Sequence, residues 1–329
     1  MPAAKQLDAE ALVPHSKKTA KKGGLDFLWK AVEATFPDLF LTFRGVTRLA
    51  HLFAGDAPQV LYHYTSHSGL LGIIGQRQLW GTHIKFLNDS SEYSFAIEAA
   101  TAMLAKRSRR GSKTERTFLK AVLERVREPE TADVYVVCFS AFGDRLSQWR
   151  GYCPSGIGYS LGFASTALRT VAAKASFQLM RCVYKEDDQQ RVLTGIVDAL
   201  VQRAANAPNT KPPSDFPRNF ARFLITTLAT VYKHPSFEEE AEWRLVLIRK
   251  EPPPRDASPI LFRSGKSTLL PYVTMPLVSD EQRLLPLQEI VVGPNPLPTL
   301  ALSGARRLLA THDVPTDGLR PSTSPYRSW

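Results

Sequence analysis

The sequence predicts an α+β domain. Apolar extended runs of strand length recur along the chain, amphipathic stretches of helical period lie irregularly between them, and the central glycine-rich segment has the wrong spacing for a doubly wound nucleotide fold. The extended runs include Val60 to Tyr64, Trp80 to Leu87, Asp133 to Ser140 and Glu242 to Ile248, and the helical ones include 93–106 and 113–127, joined by a basic loop. Gly156, Gly158 and Gly162 form G-x-G-x-x-x-G in a segment that enters a strand instead of opening a helix. A dinucleotide fingerprint is therefore rejected, and a glycine-rich hairpin that brings backbone close to a ligand or another strand is expected.

Composition narrows the class. With 329 residues, 43% hydrophobic and 10% aromatic, the chain buries a sizeable core as one large domain or a domain with an appendage. No apolar run approaches the roughly 20 residues that span a bilayer, and the N-terminus lacks a signal-peptide core, so a soluble cytoplasmic protein with no membrane partner is expected. Cys138, Cys153 and Cys182 are too few and too scattered for a disulfide framework or a Cys-rich zinc site. The net charge of +11 favours an anionic partner such as nucleic acid, a nucleotide or a membrane surface, and solvated charge kept for solubility accounts for it equally well.

In chain order, residues 1–24 read as a flexible basic tail and 25–56 as a helical appendage in which Phe27, Leu28, Ala31, Val32 and Phe36 recur at helical spacing. Residues 57–329 form the main domain. Its first strand is followed by an amphipathic helix carrying Leu70, Leu71, Ile73, Ile74 and Leu79, then by the second extended run and by a turn and helix N-cap at Asn88, Asp89, Ser90, Ser91 and Glu92. Beyond Ser140 come the dense stretch Ser147-Gln148-Trp149-Arg150-Gly151-Tyr152, a strand from Phe177 to Tyr184, a long helix ending near Ala207, a Pro-rich connection and a helix from Phe220 to Tyr232. Strands near 260–263, 269–277 and 290–292 and a helix over 300–311 complete the chain.

Polar clusters sit where strands end: Tyr62, His63, Tyr64 and Thr65 on the first, and Asn88, Asp89 and Glu92 after the second. Alternation along the strand from Glu242 puts Glu240, Glu242 and Arg244 on one face and Trp243 and Leu245 on the other. Each feature also has a plain structural reading: His63 as a hydrogen-bonded strand-end histidine, Glu242 with Arg244 as an ion pair on a solvated face, Asn88 to Glu92 as a turn and cap, and Trp149 as core. His63 and His67 have the i, i+4 zinc spacing but leave a strand, so no metal is expected. No histidine lies beside Cys153 in the sequence, so it is read as an unreactive thiol.

The ordered set Tyr62-His63-Tyr64-Thr65, Phe86-Leu87-Asn88-Asp89 with Glu92, Ser147 to Tyr152, and Glu242-Trp243-Arg244 resembles the bacterial domain-of-unknown-function family 2971, over about residues 58 to 327. A more distant resemblance supplies chemistry. A strand with His-x-Thr, a short helix ending in a Leu-Trp pair, a second strand and a late carboxylate at a strand start are similar to the ADP-ribosyltransferase superfamily. That resemblance implies a split β-sheet core surrounded by helices, NAD as substrate and no metal.

In that superfamily a first-strand His or Arg binds the NAD ribose, an aromatic ring stacks on nicotinamide, and a late Glu holds the ribose hydroxyl and steadies the ribosyl cation. Carried over, His63 and Glu242 are catalytic, and Glu240 completes a Glu-x-Glu pattern. The stacking ring is Tyr64, Trp149 or Tyr152, and Thr65, Asn88, Glu92, Ser147, Arg150 and Arg244 fill out the cofactor-binding set. The sequence departs from the superfamily in lacking a clear Ser-Thr-Ser or lone-Tyr strand, whose place Ser147 to Arg150 takes. Cleavage of the nicotinamide–ribose bond generates an oxocarbenium-like centre, which a fixed carboxylate stabilises, and arginine forks suit the pyrophosphate.

The function implied is ADP-ribosyl transfer to a nucleic-acid or protein acceptor, or NAD hydrolysis, chemistry that suits a bacterial toxin or antiphage effector with an antitoxin partner. Two other functions fit the same residues: a non-catalytic nucleic-acid-binding module, and a metal-independent nuclease using His63, Glu242 and Arg150.

Overall fold

The computed structural model describes residues 56–87, 91–127, 133–153, 157–206, 216–249, 257–265, 267–279 and 284–325, with backbone only at 91–92, 199–200, 202–206 and 216. The tail and helical appendage expected over 1–56 lie outside the described residues, apart from residue 56. The fold is α+β, as the period pattern predicts.

Strand β1 (Val60–Thr65) leads into helix α1 (His67–Gln76), whose first turn is closed by Ser66 Oγ accepting from the Gly69 N–H at 3.2 Å. Leu70, Ile73 and Ile74 form its buried stripe. Leu79, expected on this helix, belongs instead to strand β2 (Gln78–His83), because Arg77 takes the left-handed conformation at φ 51 and ends the helix. A 3₁₀ turn follows at Ile84–Phe86.

Helices α2 (Ser91–Arg107) and α3 (Lys113–Arg127) match the helical period. Ser112 and Glu115 form a capping box at the head of α3: Ser112 Oγ accepts from the Glu115 N–H at 3.2 Å, and Glu115 Oε2 accepts from the Ser112 N–H at 2.6 Å. Strand β3 (Val134–Ser140) is followed by helix α4 (Leu146–Tyr152), strand β4 (Tyr159–Ala164), helix α5 (Ser165–Lys174), strand β5 (Gln178–Arg181) and helices α6 (Glu186–Asn206) and α7 (Phe216–Val231). A 3₁₀ turn at Pro235–Glu240 enters strand β6 (Glu242–Ile248) through Ala241 at φ 44. Strands β7 (Leu261–Ser264), β8 (Leu269–Pro276) and β9 (Leu287–Val292), helix α8 (Pro298–Thr311) and strand β10 (Leu319–Pro321) complete the described chain.

Among the described residues the strands form one ten-stranded sheet, antiparallel except where β10 runs parallel to β9. Strand β3 organises it. One edge of β3 pairs with β6 along its whole length, from Val134↔Ile248 to Ser140↔Glu242. Its other edge is shared: β1 pairs at Tyr62↔Ser140, and β2 pairs at Thr82↔Val136 and His83↔Tyr135. The sheet therefore forks between β1, which continues to β4, β9 and β10, and β2, which continues to β8 and β7.

Helices cover both faces. Val134, Val136 and Val246 point to a core built with α2, α3, α6 and α7, while Tyr135, Val137, Phe139, Trp243 and Leu245 point to a second core with α1, α5 and α8. Strand periodicity divides the two cores residue by residue. The glycine-rich segment enters a strand, as its pattern predicts, and Gly162 of β4 lies so close to Tyr62 and Glu289 that a Cβ there would come within 2.9 Å of both side chains.

Candidate functional site

Glu242 opens β6 at the point where the 3₁₀ turn and the left-handed Ala241 deliver the chain to the edge of β3. Its backbone N–H donates to Tyr184 Oη at 2.8 Å, and its carbonyl accepts from the Cys182 N–H at 3.0 Å. The side chain lies on the α7 side of the sheet. Arg244 Nε donates to Oε1 at 2.8 Å and Arg244 Nη2 to Oε2 at 3.2 Å, while Lys233 Nζ donates to Oε2 at 2.5 Å. Lys233 also donates to Glu240. The cluster thus balances two cations with two carboxylates, a condition for placing such charges out of water.

Glu242 and Lys233 are each 3% exposed and Arg244 1%, whereas the Glu240 side chain is 16% exposed, so the cluster reaches solvent at Glu240. Burial alone would raise the carboxyl pKa of Glu242, but Arg244 and Lys233 outweigh it and hold the group down at about 2. Glu242 is ionised throughout the neutral range. Burial first and the Glu242 charge second push the Cys138 thiol upward. Burial first and the Glu242 charge second also raise Tyr152, whose ring therefore lies near the cluster.

His63 is on the other side of β3. Its ring packs against Phe139 at 5.7 Å between centroids, in the core that holds Leu61 and Trp243. Nδ1 lies 2.9 Å from the Cys138 carbonyl oxygen, which faces the fork between β1 and β2. A carbonyl only accepts, so Nδ1 carries the proton and Nε2 is left as an acceptor. Burial, aided by the nearby charge of Arg263, pushes the imidazole pKa down, so the ring is neutral.

Helix α4 covers the β1 side of the cluster. Trp149 is fully buried and packs edge-on against Tyr64 at 4.7 Å, and its Nε1 donates to Asp144 Oδ1 at 2.8 Å. Tyr64 Oη donates to the Phe142 carbonyl at 2.8 Å and accepts from the Arg145 N–H at 3.0 Å. Asp144 also takes Ser322 Oγ at 2.5 Å and the Thr323 N–H at 2.7 Å, clamping the C-terminal strand to the head of α4.

The expected site residues thus divide. Glu240, Glu242 and Arg244 meet in one cluster with Lys233, and Tyr152 lies beside it. The pairing of Glu242 with Arg244 is buried instead of lying on a solvated face, because α7 and the turn before β6 close over it. His63 does not face Glu242 across open space; β3 lies between them. Of the three candidate stacking rings, Tyr64 and Trp149 are buried against each other, and Tyr152 alone is half-exposed. Thr65 faces the same side as His63 and accepts from the Cys153 thiol through its carbonyl at 3.5 Å. The Ser147 hydroxyl is buried without a hydrogen-bond partner, and Arg150 is exposed on α4. Asn88 and the side chain of Glu92 lie outside the described residues.

A family model described as a protein of unknown function, DUF2971, matches residues 148–245. The DUF2971 match runs from Gln148 on α4 to Leu245 on β6 and so takes in Trp149, Arg150, Tyr152, Lys233, Glu240, Glu242 and Arg244. It supports the family resemblance read from the last two motifs; Tyr62 to Thr65 and Phe86 to Asp89 precede the matched residues. Neither the curated proteins nor the solved structures gave a match. Among the described residues no group of three or more His, Cys, Asp or Glu is placed to hold a metal ion, and no helix is long and apolar enough to cross a membrane.

Sequence reasoning missed Lys233, Cys138 and Asp144. Lys233 follows an apolar helix with no motif of its own, and nothing in the sequence ties it to a carboxylate nine residues on. Burial pushes the Cys153 thiol up to about 12, which keeps it protonated at neutral pH.

Proposed function

We propose that this protein binds NAD and transfers ADP-ribose to a macromolecular acceptor, or to water, with Glu242 as the carboxylate that steadies the ribosyl cation. The observation that carries this reading is a buried carboxylate, Glu242, held ionised by Arg244 and Lys233 with the half-exposed Tyr152 beside the cluster. A carboxylate kept ionised near pH 7 is what an oxocarbenium-like centre requires. Tyr152 is the aromatic ring beside the cluster with surface to present to nicotinamide, and His63, across β3, takes no part at the ribose. Arg244 holds the carboxylate in one orientation, so its role is positioning. The cluster is least buried on the Glu240 side.

The saturation of both Glu242 oxygens by Lys233 and Arg244 favours a second reading, a domain that binds nucleic acid through its positive charge and cleaves nothing. One experiment separates the two. The protein is incubated with NAD labelled on adenine, alone and with RNA, DNA or lysate protein, comparing wild type with Glu242→Gln and Tyr152→Phe at matched folded concentration. Nicotinamide release that depends on Glu242 supports ADP-ribosyl chemistry, as does label on an acceptor. Salt-sensitive nucleic-acid binding with no NAD turnover supports the second reading. RNA cleavage without NAD would instead point to a nuclease.

A further inference from the structure

Trp80 on β2, Tyr272 on β8 and Arg263 on β7 touch one another on a single face of the sheet. Thr82 pairs with Tyr272 and Tyr272 with Leu261, so Trp80 and Arg263, each two residues from a paired position, point the same way. The Trp80 and Tyr272 rings lie 4.8 Å apart between centroids and are tilted by 33°. Arg263 Cζ is 5.7 Å from the Trp80 centroid, and Arg263 Nη2 donates to Thr82 Oγ1 at 2.9 Å.

Thr82 also pairs with Val136, so this is the face that α2, α3, α6 and α7 cover farther across the sheet. The core beneath those helices takes in Val134, Val136 and Val246 but neither Trp80 nor Tyr272, and both rings are half-exposed. Among the described residues Arg263 has no carboxylate partner, Nη2 makes its one hydrogen bond, and Nε is buried without any. Lys85, on the 3₁₀ turn after β2, is a second half-buried cation at this border. Its Nζ lies 4.9 Å from the centroid of the Tyr93 ring, which packs on the core of the same face.

Packing alone does not account for this arrangement. Large aromatic rings kept for stability are ordinarily drawn into a core, and a guanidinium that leaves water is ordinarily neutralised. Paired rings with open surface and an unneutralised cation beside them instead complement a chain that alternates flat bases with phosphates. A duplex stacks its bases on one another and hides their faces, so the matching partner is a single strand. The net charge of +11 has the sign that such a partner requires.

We propose that the face formed by β2, β8 and β7 binds single-stranded nucleic acid, with bases stacked on Trp80 and Tyr272 and a phosphate on Arg263. This surface goes beyond the NAD reading and does not depend on it.

The test is fluorescence anisotropy of the full chain with a labelled oligonucleotide of mixed sequence, as single-stranded RNA, single-stranded DNA and duplex DNA, and with labelled polyglutamate. Wild type, Arg263→Gln, Tyr272→Ala and Trp80→Phe are compared, with the melting temperature of each. Tyr272→Ala is expected to weaken single-strand binding roughly 10- to 100-fold. Arg263→Gln is expected to reduce the slope of log affinity against log salt by about 0.7, the share of one phosphate on a single strand. Single-strand binding is expected to quench tryptophan fluorescence in wild type, and the quench to be lost in Trp80→Phe, a readout that a merely structural Trp80 would not move. If Tyr272→Ala melts well below wild type, the salt slope of Arg263→Gln and the quench in Trp80→Phe decide. A wild type that binds no single strand overturns the site, as does equal affinity for single strand and duplex with every variant unchanged. Arg263-dependent capture of polyglutamate without oligonucleotide binding also overturns it, since the partner would then be an acidic protein. Single-strand binding through Arg263 in a protein that turns over no NAD would leave this face standing and remove the transferase reading. NAD turnover by a protein that binds no single strand would do the reverse.

Discussion

His63 and Glu242 meet strand β3 from its two edges: the imidazole Nδ1 donates to the Cys138 carbonyl at 2.9 Å, and Glu242 pairs with Ser140 two residues on. The carbonyl bond follows from the fork. Cys138 lies between the β3 positions that pair with β2 and with β1, so its carbonyl has no strand opposite it and takes a side-chain donor in place of a ladder partner. The same bond fixes the tautomer that leaves Nε2 open.

That arrangement predicts the magnetic signature of His63. Its imidazole is expected to be neutral at pH 7 with the proton on Nδ1, and to titrate below the ordinary histidine value of 6.5. Because the folded-state pKa is depressed, the folded protein resists protonation and stability falls as the pH drops below about 6.5. Nitrogen-15 spectra of the histidine side chains, assigned with His63→Gln, check this. A His63 protonated at both nitrogens at pH 7 would contradict the Cys138 bond.

Asp144 is predicted to be the latch between the C-terminal strand and α4. Burial would raise its pKa, but hydrogen bonds from Ser322, Thr323 and Trp149 hold it below the usual carboxylate range. Asp144→Ala removes the acceptor for all of them and is expected to cost about 1 to 3 kcal/mol. The loss should be local as well as global. Hydrogen exchange is expected to quicken at Thr323 and at the Trp149 indole, while amides in α3 keep their protection relative to global opening.

The period of apolar residues made most elements legible. Phe118, Leu119, Val122 and Val126 announce α3, and the unbroken run from Val134 to Phe139 announces a strand buried on both faces. Helix α5 was not foreseen, because it follows a strand without a polar cap or break. The alternation from Glu242 to Ile248 did place Glu242 and Arg244 on one face. What periodicity could not supply was the parity between strands. Whether His63 shares a face with Glu242 depends on the Tyr62↔Ser140 and Ser140↔Glu242 registers, and those are set by tertiary pairing. The fork and the arrival of Lys233 from the end of α7 are likewise outcomes of packing, with no local sequence signal.

Removing one anion from the buried cluster is predicted to be costly. Glu242→Gln leaves Lys233 and Arg244 buried against Glu240 alone, and breaking such a pair typically costs about 3 to 5 kcal/mol. Denaturant unfolding at pH 7 should show a lower midpoint with an unchanged slope. Replacing Glu240, whose side chain is more exposed, is expected to cost less. Equal losses for the two variants would mean that the two carboxylates bear the same burden.

The pH dependence of that difference follows from the depressed pKa of Glu242. Its carboxyl titrates at about 2 in the folded protein against 4.5 in the unfolded chain. The folded state therefore binds fewer protons than the unfolded state between those values, and its stability falls as acid is added. The contribution of Glu242 is fully present above about pH 4.5, declines below it, and is gone once the pH passes below about 2. Glu242→Gln lacks this titration, so wild type and variant should differ most near pH 7 and converge on acidification. Urea midpoints measured for both proteins from pH 7 to pH 3 test the point. A gap that stays constant to pH 3 would show that the carboxylate is not held ionised by Arg244 and Lys233, and would remove the electrostatic basis for assigning it a role at a ribosyl cation.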